Sequence, residues 1–164
     1  MAQPVVEFLS TRSGRLGPLL AWACISMQLA PGQTVYTIGN SLTQDTRPQF
    51  LPDAEWHIYC AKNLQFIYDN PAGHCATSSR PWDDALVNST YDYVVVQPHY
   101  GTTLEQDAAV IGSWIDLQPA TTTWVVHSGW PGHANLVSTY DGPWNGVSMT
   151  HHEDYFDALI DSLA

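Results

Sequence analysis

The chain has 164 residues, enough for one domain, and 45% of them are hydrophobic, with seven Trp and eight Tyr, so a packed core is expected and a disordered chain is not. The formal charge is −11 and the basic residues number five, Arg12, Arg15, Arg47, Lys62 and Arg80, too few and too scattered to neutralise a phosphate backbone. Nucleic acid is therefore excluded as a partner, while the acidity itself reports on solubility and not on fold.

Residues 1–30 differ from the remainder. Arg12 and Arg15 precede an apolar run, Leu16 to Ala30, that is too short for a comfortable membrane span and suits the core of a signal peptide. The expectation is an exported protein, periplasmic or extracellular, without a stable membrane span, and a single domain over residues 31–164. Glu7, Pro18 and Pro31 run against an ordinary leader and leave the cleavage site open, and Cys24 reads as an apolar leader cysteine and not as a lipid attachment point.

Thr34 to Ile38 is a short β-rich run ending at Gly39, the pattern of a strand entering a tight turn. Ser41 to Leu51 carries helix-start chemistry with Pro48 inside it, which predicts a short or broken helix. Trp56 to Cys60 is a second brief strand, and Asn63 to Tyr68 and Trp82 to Val87 are helical fragments in a loop-rich stretch. Tyr91 to Gln97 contains three consecutive valines, as in a parallel strand buried on both faces. Thr103 to Leu117 has apolar residues near helical spacing, with Thr103 as cap and Pro119 beyond the end. Thr122 to His127 is another buried strand, Ser128 to Asn145 a Gly/Pro/Trp-rich loop, and Glu153 to Leu163 an amphipathic helix with Tyr155, Phe156, Leu159, Ile160 and Leu163 on one side. Cys60 and Cys75 either close a disulfide loop worth about 3 kcal/mol or stand as two buried thiols.

Strands alternating with helices imply βαβ units, right-handed crossovers and an α/β three-layer sandwich with a parallel sheet. Ligand sites of such sheets lie beyond the carboxyl ends of the strands, so Gly39 to Thr43, Gln97 to Thr103 and His127 to His133 become the candidate segments.

In the first of these, Gly39-Asn40-Ser41-Leu42-Thr43, a sharp turn after the strand would lift Ser41 to the mouth of the sheet, beside the N–H groups of a helix start, where a serine can attack a carbonyl. The structural alternative is that Ser41 is the N-cap of the helix. Strand, Ile-Gly-Asn-Ser-Leu-Thr, then helix resembles the first sequence block of the SGNH hydrolases, also called the GDSL family, in the Asn-containing variant found among carbohydrate-type esterases. The resemblance implies a flavodoxin-like fold, ester hydrolysis without cofactor or metal, Ser41 as nucleophile and its backbone N–H in the oxyanion hole. In the family's third block a Gly-x-Asn-Asp follows a buried strand and its Asn side chain donates to the oxyanion. Here Gln97-Pro98-His99-Tyr100-Gly101-Thr102 stands in that place, so the resemblance gives the donor role to Gln97, an interaction worth about 3 kcal/mol in a transition state. The alternative for Gln97 is a buried amide satisfying loop backbone. The second block supplies a backbone N–H, for which Lys62-Asn63 and Ala72-Gly73 are alternatives.

The family's Asp-x-x-His, which supplies the general base and its carboxylate, occurs nowhere in the chain, and the expectation is a sequence that stops short of the last βα portion of the fold. His127 and His133 lie on the expected active side, more readily as structural or substrate-contacting residues than as the base. His151-His152-Glu153-Asp154 reads as a capped helix with a negative first turn and not as a metal site. Asn40, His99, Tyr100, His127 and Trp130 are the expected substrate contacts, with Trp144 as a further loop aromatic able to stack on a sugar ring. The partner is then a small-molecule or carbohydrate ester. The rival from another class is a catalytically silent carbohydrate-binding module of the same fold, and the missing Asp-x-x-His is the feature that favours it.

Overall fold

The computed structural model describes residues 6–8, 32–99, 102–128 and 152–164. Its elements are β1 (Val6–Phe8), β2 (Val35–Gly39), α1 (Ser41–Phe50), β3 (Glu55–Ile58), α2 (Leu64–Asp69), α3 (Trp82–Asn88), β4 (Tyr93–Val96), α4 (Leu104–Ile115), β5 (Thr123–Val126) and α5 (His152–Leu163). The five strands form one sheet in the order β1-β5-β4-β2-β3, and every neighbouring pair is parallel. This is the α/β architecture with a parallel sheet that the alternation of elements implies.

The valine-rich runs form strands because their branched side chains fill both sides of a pleated surface covered by helices. On one face Tyr36, Ile38, Val94, Val96, Trp124 and Val126 pack against Leu64 and Ile67 of α2, Trp82 and Leu86 of α3, Ile111 and Trp114 of α4, and Tyr155, Phe156 and Leu159 of α5. On the other face lies α1, whose Arg47 guanidinium stacks 3.7 Å over the ring of Trp56, a residue in register with Thr37. Helices thus cover both faces of the sheet.

Several boundaries differ from those expected. Helix α1 runs through Pro48 without breaking. Pro48 stands in the last turn, where its missing N–H costs one bond, and the helix still closes with Leu51 N–H on Arg47 O at 2.7 Å. β4 begins at Tyr93, not Tyr91; just ahead of it the Asp92 carboxylate accepts from Thr34 N–H at 2.7 Å and Thr34 Oγ1 at 3.0 Å. β3 ends at Ile58; beyond it Tyr59 N–H reaches Gly39 O at 2.9 Å and Ala61 turns the chain with φ +55°. Thr103 caps α4 as expected, in a full capping box with Gln106.

Two cysteines and the N-terminus complete the frame. Cys60 and Cys75 are joined as a disulfide, with Cα atoms 5.4 Å apart, and Cys75 N–H donates to Ile58 O at 3.1 Å, so the loop after β3 is tied back onto the strand. Val6–Phe8, inside the segment read as a leader, lies at the sheet edge in register with Trp124–Val126. Apart from Ser128, the Ser128–Asn145 loop lies outside the described residues.

The chain leaves β2 toward β3 on one side and comes back to β4 on the other. The carboxyl ends of β2 and β4 are therefore the topological switch point, where open α/β sheets hold their ligands.

Candidate functional site

At the switch point each residue of Gly39-Asn40-Ser41-Leu42-Thr43 has a separate task. Gly39 allows close approach: a Cβ there would meet Thr43 Oγ1 at 2.1 Å and Gln97 Cβ at 3.0 Å. Asn40 is the N-cap, with extended backbone and its Oδ1 accepting from Leu42 N–H at 2.9 Å. The reading of Ser41 as cap is thereby corrected, since the adjacent asparagine has taken that task and Ser41 is the first helical residue. Ser41 is exposed, and its hydroxyl makes no hydrogen bond to any described residue.

Gln97 follows β4 and is fully enclosed, at 0% exposure. Its Oε1 accepts two bonds from one residue, Thr43 N–H at 3.0 Å and Thr43 Oγ1 at 2.6 Å. A backbone N–H can only donate, so the amide has one sense: oxygen toward Thr43, nitrogen away from it. That Nε2 is buried without a partner among the described residues, and so is Asn40 Nδ2, whose side chain is likewise at 0% exposure with its oxygen held by a backbone N–H. An orphaned buried donor costs about 1–3 kcal/mol and is rare in folded proteins. Both stand near the start of α1 on amides anchored through their oxygens, and neither nitrogen has a partner among the described residues.

The backbone adds to this. Leu42 and Thr43 N–H are occupied by the two amide oxygens, whereas Ser41 N–H, at the positive end of the α1 dipole, bonds no described residue. Within the two alternatives for a further backbone donor, the Gly73 and Lys62 N–H groups are engaged. Gly73 N–H closes its own turn on Asn70 O at 2.9 Å, and Lys62 N–H donates to Tyr59 O at 3.3 Å while Asn63 caps α2 through Phe66 N–H.

The histidines fall into two kinds. His57, buried on β3, accepts from Trp82 N–H through Nδ1 at 3.2 Å, which leaves Nε2 as the protonated nitrogen donating to Gly73 O at 2.6 Å. Burial lowers its pKa, so it is a neutral structural residue with no ring nitrogen left for chemistry. His127 follows β5 on the site's edge, its N–H on Val96 O at 2.8 Å, and burial lowers its pKa too, leaving the half-buried ring neutral at neutral pH. β4 lies between β5 and β2, which places His127 about two strand spacings, roughly 10 Å, from the end of β2. His99 is half-buried on the same edge, its carbonyl accepting from Thr102 Oγ1 at 3.4 Å.

The structure therefore brings Ser41, Asn40 and Gln97 together and sets His99 and His127 along the same rim. Tyr100, Trp130, His133, Trp144 and His151 lie outside the described residues. Thr43 was missed as a site residue. Threonine in a first helical turn is unremarkable locally, and its partner is 54 residues away. Trp82 is a core residue packed on Tyr68 at 4.9 Å between ring centroids.

Among the described residues no group of three or more His, Cys, Asp or Glu is arranged to hold a metal, and no helix is long and apolar enough to cross a membrane. The chain matches no family model, no curated protein and no solved structure.

Proposed function

We propose that the chain is a serine ester hydrolase of SGNH type, acting on carboxylic esters with acyl groups on carbohydrate as the substrate class. The observation that carries this reading is an exposed serine at the start of the helix whose Thr43 holds Gln97 by its Oε1, with the Ser41 hydroxyl and the buried Gln97 Nε2 both without a partner among the described residues. Ser41 Oγ attacks the ester carbonyl, and the charge that develops on the carbonyl oxygen is taken by Ser41 N–H and Gln97 Nε2. Such a donor is worth about 3–4 kcal/mol because it is already oriented in a water-poor site when the charge appears. Collapse of the tetrahedral intermediate expels the alcohol, and water then releases the acyl group from Ser41. Asn40, His99, Tyr100, His127 and Trp130 are the proposed substrate contacts, and no metal or organic cofactor is called for.

The Ser41 proton needs a base, and the absence of Asp-x-x-His from the sequence favours a second reading, a catalytically silent module that binds sugar in the same cleft. We also propose export. A leader cut at Ala30 would remove β1 and leave β5 as an edge strand, so the mass of the mature protein tests that point directly.

Hydrolysis of p-nitrophenyl acetate and of a peracetylated xyloside by the full chain and by Ser41→Ala separates the readings. Turnover that disappears in Ser41→Ala, with unfolding unchanged, is the expected result. No turnover by the full chain, together with sugar binding in calorimetry, would replace the hydrolase by the binding module.

A further inference from the structure

We infer that Thr43 is a positioning residue, holding the Gln97 amide with its nitrogen as the outward donor, through two hydrogen bonds on the same oxygen. The inference rests on the reading of Gln97 as the oxyanion donor.

Glutamine has three side-chain torsions, and its last one is broad, so burial alone does not decide which end of the amide faces which way. A hydroxyl alone does not decide it either, since it can donate to Oε1 or accept from Nε2. The Thr43 N–H, 3.0 Å from Oε1, settles the sense, and the Thr43 hydroxyl at 2.6 Å strengthens the hold on the same atom. Gly39 makes room for this arrangement, because a Cβ there would lie 2.1 Å from the Thr43 hydroxyl oxygen. Strand end, helix start and the residue after the neighbouring strand thus form one device: space from Gly39, orientation from Thr43, donor from Gln97. Its consequence is an Nε2 with no partner among the described residues. In solution an amide that turned over would recover a bond to Thr43 Oγ1, and the clamp works against that recovery.

Thr43→Val retains the backbone bond, removes the hydroxyl and nearly conserves volume; Thr43→Ser keeps both bonds. With p-nitrophenyl acetate, Thr43→Val is expected to lower kcat about tenfold or more with KM within about twofold, the pattern of an interaction made in the transition state. Thr43→Ser is expected to stay within about threefold of the native kcat, and Thr43→Val combined with Gln97→Leu to be no slower than Gln97→Leu alone. A native kcat in Thr43→Val, or a Thr43→Val loss that multiplies undiminished onto the Gln97→Leu loss, overturns the inference. A second readout does not depend on turnover: the side-chain amide NMR signals of Gln97. They are expected to shift and exchange faster with solvent in Thr43→Val and to return in Thr43→Ser; if they do not move in Thr43→Val, the Thr43 hydroxyl has no part in positioning Gln97 and the two-bond inference is overturned. Should the native chain show no Ser41-dependent turnover while the Gln97 signals respond as expected, the positioning stands and the hydrolase reading falls.

Discussion

Gln118 and Gln97 are both buried glutamines, one near the amino ends of the strands and one at the carboxyl ends, and they are held in opposite ways. Gln118 uses its whole amide: Oε1 accepts from Tyr91 N–H at 3.0 Å, and Nε2 donates to Leu86 O at 2.8 Å and Ser89 O at 2.9 Å. Around it Thr122 Oγ1 donates to Tyr91 O at 2.8 Å, and Thr34 and Asp92 close the start of β2 on the start of β4. Among the described residues Gln97 is bonded through its oxygen alone, and the neighbouring Asn40 likewise. Chemically identical groups are fully bonded at one end of the sheet and, among the described residues, bonded through their oxygens alone at the other. The same sheet that is closed by its polar residues at one edge is opened by them at the edge where α/β folds place ligands.

The largest effect is expected at the closed end. Gln118→Leu leaves Tyr91 N–H and two carbonyls buried without partners, for an expected loss of about 3–5 kcal/mol in urea unfolding. A loss no greater than that of Gln97→Leu would show that the two ends are not held differently. The open end carries a covalent tie, the Cys60–Cys75 disulfide, with a sequence separation of 15 in the loop after β3. Its reduction by dithiothreitol is expected to lower stability by about 3 kcal/mol.

The open end also carries a buried carboxyl. Asp107, in the first turn of α4, accepts from Thr102 Oγ1 at 2.9 Å and from the Tyr155 hydroxyl of α5. Burial pushes its pKa up to about 6 from 3.8, against the two hydrogen bonds, which lower it. Because the folded value is the higher one, the protonated group's contribution to stability is complete below the unfolded pKa and is lost as pH rises from about 4 through 6. Relative to Asp107→Asn, the native chain should lose about 2–3 kcal/mol between pH 4 and pH 7 in denaturant titrations, the linkage value of a shift of this size. A pH-independent difference between the two proteins would remove Asp107 from this role. The smallest effect belongs to Gln97→Leu, about 1 kcal/mol of stability, since the lost bonds to Thr43 are offset by removal of an unpaired donor. Its chief consequence is expected in turnover.

Much of the frame was legible in the residues because local and tertiary demands coincide there. The valine runs in Tyr91 to Gln97 and Thr122 to His127 have no comfortable place outside a covered parallel sheet, and Thr103 with Gln106 announces a helix start whatever surrounds it. Ser41 was legible as the residue at the sheet mouth, but not as standing behind a cap, because Asn40 and Ser41 both cap well and only the folded turn shows which does so. Thr43 was illegible for a different reason: its work is done on a side chain 54 positions away. β1 was hidden by its three-residue length, below any periodicity, next to a segment with the composition of a leader.

Ser41 is proposed as a nucleophile served by donors that have no partner among the described residues. Treatment of the full chain with a fluorophosphonate, followed by intact mass and peptide mapping, tests it most directly. One adduct per chain, located on Ser41 and slowed by Gln97→Leu, is the expected result. No adduct, or an adduct on another serine while Ser41 stays unmodified, would contradict it.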